Sequence, residues 1–221
     1  MRTLLFFSFL LFTISTYAQE NTERFSSSLV ASVATPLGAF KNIHGKIALG
    51  ADLCVMNKPV AHSALAIGIG VSIHVMDGDS YSNSTSNPSI EKSAGTRFIS
   101  LFPKLRVQHP KNIAVSPFAE GMIGAHFFYV REKIITYTNS NDKITRRKWR
   151  DFSASPGFGV AAGINIPMSK DGNRLEIKSV YMSGRRSDHY HDPAYSSAGE
   201  LSYTTVRSST NLLMFQVGIN L

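Results

Sequence analysis

Residues 211–221 alternate in character up to the last position of the chain. One face of this stretch is apolar and carries Leu213, Phe215, Val217, Ile219 and Leu221. The opposite face includes Gln216, Gly218 and Asn220. A period of two is typical of a β-strand with different environments on its two sides. Seven further segments repeat the pattern, at residues 25–35, 45–56, 63–76, 96–107, 113–130, 152–166 and 174–184. The sequence therefore predicts an all-β protein of eight antiparallel strands.

The connections between these segments differ in length in a regular way. Those after the second, fourth and sixth segments are short, at residues 57–60, 109–112 and 167–173. Those after the third, fifth and seventh are long, at residues 77–95, 131–151 and 185–209, and the first, 36–44, is intermediate. Short turns on one side and long loops on the other are typical of transmembrane barrels. We therefore predict an eight-stranded up-and-down transmembrane β-barrel with four extracellular loops.

The two faces of the segments indicate which side meets lipid. The third segment is apolar at Leu65, Ile67, Ile69, Val71 and Ile73. Its other face is small, with Ala64, Ala66, Gly68, Gly70 and Ser72. Across the apolar faces of all eight segments, Arg97 is the one charged residue. Small side chains suit the narrow interior of an eight-stranded barrel, so we predict that the apolar face lies in lipid.

Charged residues within the segments share the opposite face. Because successive side chains of a strand alternate between its two faces, the side chains of these residues are predicted to point into the barrel. They are Lys46, Asp52, Lys104, Arg106, Glu120, Glu176 and Lys178. Opposite charges in a narrow interior should pair, because an unpaired buried ion costs several kcal/mol. Phe98, Phe102 and Phe118 also fall inside by this alternation; a bulge near Pro103 would account for part of this, and a different register of that hairpin is the alternative. The sequence thus predicts a lumen that is filled by a charge network rather than open.

The N-terminal residues resemble an export signal. Arg2 precedes an apolar run over residues 4–14 and a small residue, Ala18. We predict a signal peptide over residues 1–18 and a barrel domain over residues 19–221, located in the outer membrane of a diderm bacterium. Insertion would involve the barrel assembly machinery. Residue Cys54 is the single cysteine, so no disulfide within the chain is possible.

A basic run lies in the fifth connection. It comprises Lys143, Arg146, Arg147, Lys148, Trp149 and Arg150. Together with Arg97 it is predicted to contact phosphates of the outer-leaflet glycolipid, lipopolysaccharide, with Trp149 at the membrane interface. A solvated strand extension is the alternative interpretation. Nucleic acid is not expected as a partner, because an exported barrel meets little of it.

A polar cluster at residues 187–192 is the one candidate for chemistry. His189 and His191, with Asp188 or Asp192, could supply metal ligands or an acid–base pair. This spacing is generic, and we interpret the cluster as a solvated loop tip. We predict no catalytic residue, no cofactor and no metal site.

These features together resemble the small outer-membrane β-barrel superfamily that includes the OmpA transmembrane domain and the opacity-type proteins. The resemblance covers residues 19–221 and rests on the signal, the eight segments, the loop asymmetry and the terminal strand. Many such barrels end in Phe, whereas this chain ends in Leu221. The family has no shared catalytic residues, which implies a non-enzymatic structural or surface-interaction role. A narrow pore, an outer-membrane lipid-modifying enzyme and a soluble lipocalin-like binder remain as alternatives.

Overall fold

The computed structural model describes residues 25–59, 63–83, 89–108, 114–137, 143–168 and 173–221. In chain order the elements are β1 (Phe25–Pro36), α1 (Gly38–Ile43), β2 (Ala48–Asn57), β3 (Leu65–Asn83), β4 (Ser89–Gln108), β5 (Ser116–Tyr137), β6 (Lys143–Pro167), β7 (Arg174–Tyr195) and β8 (Leu201–Asn220). Each strand pairs antiparallel with the next, and β8 pairs with β1 to close the barrel. The predicted fold class is confirmed. The predicted signal peptide, residues 1–18, lies outside the described residues.

The outer surface of the closed ladder carries an apolar belt. Leu29, Ile69, Leu105, Phe158 and Phe215 are each exposed on different strands, and between them the inward neighbours are buried. In water such a surface would be unfavourable, whereas lipid tails accept it. Among the described residues, no helix is long and apolar enough to cross a membrane.

Three hairpins continue far beyond this belt. The longest strand, β6, has 25 residues, whereas about 9–11 suffice to cross a bilayer. The prediction of loops at residues 77–95, 131–151 and 185–209 is therefore wrong for most of their length, because strands cover much of each. Above the membrane both faces of a strand meet water, so the alternation that identifies a strand from sequence disappears. We call the parts of the β3–β4, β5–β6 and β7–β8 hairpins above the belt the crown.

The β7–β8 hairpin packs against the other two hairpins of the crown. The Lys92 ammonium donates to the carbonyl of Gly199 at 2.5 Å, and the Tyr195 backbone N–H donates to Asp79 Oδ2 at 3.1 Å. Burial and the nearby Glu132 carboxylate raise the pKa of Tyr195 to about 12. Between this hairpin and the inner face of β5 and β6 lies a cavity of about 360 Å³. The crown is therefore a packed structure rather than a set of separate loops.

Irregularities of the ladder lie at the top of the barrel, and Pro103 is not among them. The β4–β5 register is the same at Leu101, paired with Ala125, and at Lys104, paired with Met122. The hypothesis of a bulge near Pro103 is therefore wrong: the β4–β5 pairing is interrupted at Phe102 and Pro103 and resumes in the same register. Register shifts occur instead at or above the upper edge of the belt, between Val75/Gly78, Tyr129/Val130, Gly184/Arg186 and His191/Ala194.

Candidate functional site

The lower half of the lumen holds a network of buried charges. Arg106 bonds Glu120 through both Nε and Nη2, and its Nη2 also donates to Glu176 Oε2 at 2.9 Å. Lys178 Nζ lies 2.8 Å from Glu176 Oε1 and 3.8 Å from Glu120 Oε2. Each of the two cations thus meets both carboxylates. This alternation of charge is the arrangement in which buried ions compensate one another best.

A second ion pair lies across the lumen from this group. Lys104 Nζ donates to Asp52 Oδ1 and Oδ2 at 3.2 and 3.3 Å. A Cβ atom at Gly70 would collide with the end of the Lys104 side chain, so glycine makes room for this lysine. The six residues of the two groups comprise three cations and three carboxylates, which makes the set neutral. We call these six residues the lower layer.

Lys46 does not belong to the lower layer. Its side chain is 72% exposed, and its Nζ lies 3.6 Å from Asp77 Oδ1 at the extracellular end of the barrel. The prediction that Lys46 faces the lumen is wrong because β2 begins only at Ala48. The alternation of a strand does not fix the direction of side chains that precede its first ladder hydrogen bond.

The upper half of the lumen is filled by aromatic rings and histidines. His74 stacks on Phe98 with ring centroids 4.5 Å apart, and its Nε2 lies 2.9 Å from Ser32 Oγ. His126 Nδ1 lies 2.8 Å from Ser100 Oγ. Phe102 and Phe128 complete this group, and all five rings are buried. Where it meets the lower layer a cavity of about 10 Å³ remains, which is room for about one water molecule.

The short helix α1 covers these rings from the extracellular side. Phe40 is fully buried, with its ring 4.8 Å from His189 and 6.1 Å from Phe128. His44 Nδ1 lies 3.0 Å from Asp77 Oδ2 and fixes the end of the helix to β3. The hydrogen bond with His44 lowers the pKa of the Asp77 carboxyl. We call the rings and α1 together the upper layer.

The histidine cluster at residues 187–192 is not a solvated loop tip, as the sequence had indicated. His189 is fully buried in the upper layer because β7 continues through this region as a strand. Its Nε2 donates to the Ser208 carbonyl at 2.9 Å and lies 3.4 Å from Ser187 Oγ. His191 is partly buried, and its Nδ1 lies 2.8 Å from Asp192 Oδ2. Both histidine rings pack edge-on near His44, with ring centroids 6.3 Å away for His189 and 6.1 Å away for His191.

The serine–histidine contacts in the lumen lack the parts of a catalytic triad. In each of the pairs Ser32–His74 and Ser100–His126, the second ring nitrogen is buried with no partner among the described residues. A triad needs a carboxylate there to orient the ring, and it needs access for a substrate. Among the described residues, no group of three His, Cys, Asp or Glu side chains is arranged to hold a metal ion. Each of these contacts pairs a serine hydroxyl with one nitrogen of a buried imidazole ring.

The basic run on β6 divides between the two faces of the crown. Asp151, with a positive φ of 27°, forms the bulge opposite Tyr129 and Val130 and inverts the alternation above it. Trp149 therefore faces outward and stacks on Tyr129, with centroids 4.7 Å apart. Arg150 faces inward and bonds the buried Glu132 at 3.1 Å. Lys148 lines the crown cavity with Arg150, and Arg146 shares their face by alternation, so three of the predicted glycolipid contacts point away from the outer surface.

The outer face just above the belt carries three arginines. Arg131 is a diagonal neighbour of both Arg97 and Arg147 in the ladders of β5 with β4 and β6. Burial and then the charges of Arg97 and Arg147 lower the pKa of Arg131, as expected for adjacent like charges. Within the described part of the chain, no carboxylate lies within ion-pair distance of any of the three. We call Arg97, Arg131 and Arg147 the arginine cluster.

Comparison with solved structures identifies the fold. Neisserial surface protein A matches over 89% of this chain and 96% of its own length, with a TM-score of 0.50 and 10% identity. The chain has the fold of a small outer-membrane β-barrel. A major outer membrane protein from Thermus thermophilus also matches, over 89% and 98% of the two chains (TM-score 0.43, 11% identity). The outer membrane protease OmpT from Escherichia coli matches over 90% and 96% (TM-score 0.39, 8% identity). The sequence matches no protein-family model and no curated protein sequence.

The outer-membrane barrel fold does not determine a single activity. At such low identity the similarity defines the architecture, and one architecture carries many functions. Function must therefore be argued from the residues of the lumen and of the crown.

Proposed function

We propose that this outer-membrane barrel is a non-enzymatic surface-interaction protein whose arginine cluster binds phosphates of the outer-leaflet glycolipid. The proposal rests on the position of three arginines directly above the apolar belt, none of which has an acidic partner among the described residues. The phosphates of outer-leaflet glycolipid lie at that depth. Guanidinium groups bind phosphate through two parallel hydrogen bonds, which makes arginine well suited to this contact.

The surroundings of the cluster support a lipid ligand rather than a soluble one. Trp149 is exposed and stacks on the buried Tyr129, which is paired with Arg97, and Phe152 is exposed just below them. Aromatic side chains favour the boundary between lipid tails and head groups. Three like charges at diagonal spacing repel one another, so an anion bound among them relieves that repulsion. Phosphate on a lipid would meet both the aromatic stack and the guanidinium groups.

Native mass spectrometry of the purified full chain tests this proposal. The wild-type protein, extracted from a lipopolysaccharide-producing host, should retain about one bound glycolipid. Replacing all three residues (Arg97→Gln, Arg131→Gln and Arg147→Gln) should remove most of it, since each charge-assisted bond contributes about 1.5–3 kcal/mol. A matched control removes three charges elsewhere, at Lys41, Lys58 and Arg207, and should retain the lipid. Equal retention by the triple variant and the control would contradict the proposal.

A narrow pore is the competing function, and the filled lumen argues against it. The lower layer and the upper layer occupy the two halves of the barrel, and α1 covers the extracellular end. We therefore expect the wild-type protein to show little or no steady conductance in planar lipid bilayers. Large, stable channels would favour the pore.

A further inference from the structure

The upper part of β6 is an open strand edge. On one side β6 pairs with β5 as far as Lys143, which lies opposite Tyr137. On the other side it pairs with β7 only up to Gly157, which lies opposite Gly184. Residues 143–150 are all exposed, and within the described part of the chain nothing bonds their outer edge. These eight residues therefore present backbone donors and acceptors over roughly 27 Å at about 3.4 Å per residue.

Contacts of the neighbouring strand, β7, keep this edge of β6 unpaired. The register of β7 and β8 shifts between Gly184 and Arg186, where β7 leaves the β6 ladder. The Ser155 hydroxyl donates to the Arg185 carbonyl at 2.7 Å, so a side chain replaces the ladder at this point. Above it the β7–β8 hairpin is bonded to β3 and β4 through Asp79 and Lys92. Because β7 is anchored on the inner side of the crown, it does not pair with β6 there.

We infer that this edge binds, by backbone pairing, an extended acidic segment of a partner protein. An unpaired strand edge is a template for a further strand, and main-chain hydrogen bonds supply much of the affinity in such complexes. Charge selects the partner, because five of the eight residues are cationic: Lys143, Arg146, Arg147, Lys148 and Arg150. Cations on both faces of β6 would lie beside both faces of an added strand, where opposite charges across a strand pair are stabilising.

The same charges exclude a second copy of this chain as the occupant. Two β6 edges brought together would place like charges opposite each other, which is destabilising. Among the described residues the nearest acidic groups are already bonded: Asp151 to the Tyr203 hydroxyl and Glu132 to Arg150. The inference goes beyond the glycolipid contact and does not rest on it. The edge lies in the plane of the sheet, whereas the arginine cluster lies on its outer face.

Fluorescence anisotropy on the full chain in glycolipid-free detergent micelles tests the inference. The probe is a labelled decapeptide of alternating Glu and Val, and saturable binding is expected. A second peptide of the same sequence carries N-methyl groups at every other backbone nitrogen, which keeps the charge but removes one edge of donors. It should bind at least about tenfold more weakly, since several hydrogen bonds of about 1 kcal/mol are lost. A peptide of alternating Lys and Val should not bind. If the first two peptides bound equally, charge attraction alone would explain binding and the inference would be wrong. The inference would also be wrong if neither of these two peptides bound.

Two variants separate this edge from the arginine cluster. The pair Arg146→Glu and Lys148→Glu lies on the inner face and should reduce peptide binding by about tenfold or more. The pair Arg97→Gln and Arg131→Gln should weaken glycolipid retention and leave peptide binding unchanged. Amide hydrogen exchange distinguishes backbone pairing from charge attraction, because a paired edge should slow exchange at those amides of residues 143–150 that point away from β5. Unchanged exchange in the presence of saturating peptide would refute backbone pairing.

Discussion

The lower and upper layers fill the same lumen with opposite chemistry. In the lower layer, charges compensate one another, as in the contacts of Arg106 with Glu120 and Glu176. In the upper layer, apolar rings pack face to edge, as in the contact of Phe128 with His189 at 4.5 Å. Both layers depend on small residues opposite them. A Cβ atom at Gly163, for example, would lie 2.6 Å from both Lys178 Cβ and Phe118 Cζ.

This difference means that the two layers should fail in different ways. Removing one ion leaves its partner charged, buried and without compensation, which costs far more than the pair itself contributes. Removing one ring leaves a cavity, and neighbouring rings can shift to fill part of it. The lower layer lies within the closed ladder, whereas the upper layer is partly built from α1, which can detach. Damage below should therefore destabilise the whole barrel, and damage above should remain local.

The largest effect is expected for Glu120→Ala. This substitution leaves Arg106 with one carboxylate and weakens the surroundings of Lys178. We expect a loss of about 3–5 kcal/mol in the free energy of unfolding, as for other broken buried ion pairs. Urea unfolding in lipid, and the temperature at which boiling changes migration on SDS gels, measure it. The control Glu200→Ala removes an exposed carboxylate of the crown and should change stability by less than about 0.5 kcal/mol. A similarly small loss for Glu120→Ala would mean that the lower layer reorganises freely.

A smaller and more local effect is expected for Phe40→Ala. Phe40 is the buried apolar anchor of α1, and its ring contacts Phe128, His44 and His189. The substitution should remove about 3 kcal/mol from the docking of α1. Amide exchange should become fast over residues 38–44, while the temperature of gel-shift unfolding changes little. Leu37→Ala, next to the helix on its partly exposed side, serves as the control. Loss of barrel stability equal to that of Glu120→Ala would contradict the distinction between the layers.

The strand pattern assigned the residues of the lower layer to the interior, together with Phe98 and Phe102 of the upper layer, but it did not indicate α1. A period of two assigns every residue of a regular strand to a face, so Asp52, Lys104 and Glu176 could be placed inside before any contact was known. The helix α1 gives no such signal, because six residues are too few to show a helical period. Phe40, an isolated aromatic residue in a connection, is the one hint that this segment is docked.

The structure of the crown could not be predicted from the sequence for a different reason. Extending the parity of β6 upward would place Arg150 and Lys148 outside and Trp149 inside, and the bulge at Asp151 reverses this. The residue pattern does not indicate that bulge, because Asp is also common in loops. His189 likewise looked like a loop residue because polar neighbours flank it, and its burial depends on α1 from a distant part of the chain. Tertiary contacts, rather than local preference, decide these positions.

The smallest effect, and the sharpest test of how α1 is held, concerns pH and Asp77. Because the hydrogen bond with His44 lowers the pKa of Asp77 below its ordinary value of 3.8, the ionised carboxylate stabilises the folded state. That contribution is complete above the unfolded-state pKa and is lost as pH falls through the lower folded-state pKa. Asp77→Asn should therefore cost about 1 kcal/mol at pH 7, and the difference from wild type should shrink as the pH falls through the folded-state pKa of Asp77. Amide exchange over residues 38–44 in both proteins between pH 7 and pH 3, corrected for intrinsic rates, measures it. The control Asp188→Asn changes an exposed carboxylate, and its exchange rates should not approach those of wild type as the pH falls. If the difference between Asp77→Asn and wild type stayed constant at all pH values, shape rather than charge would hold the helix.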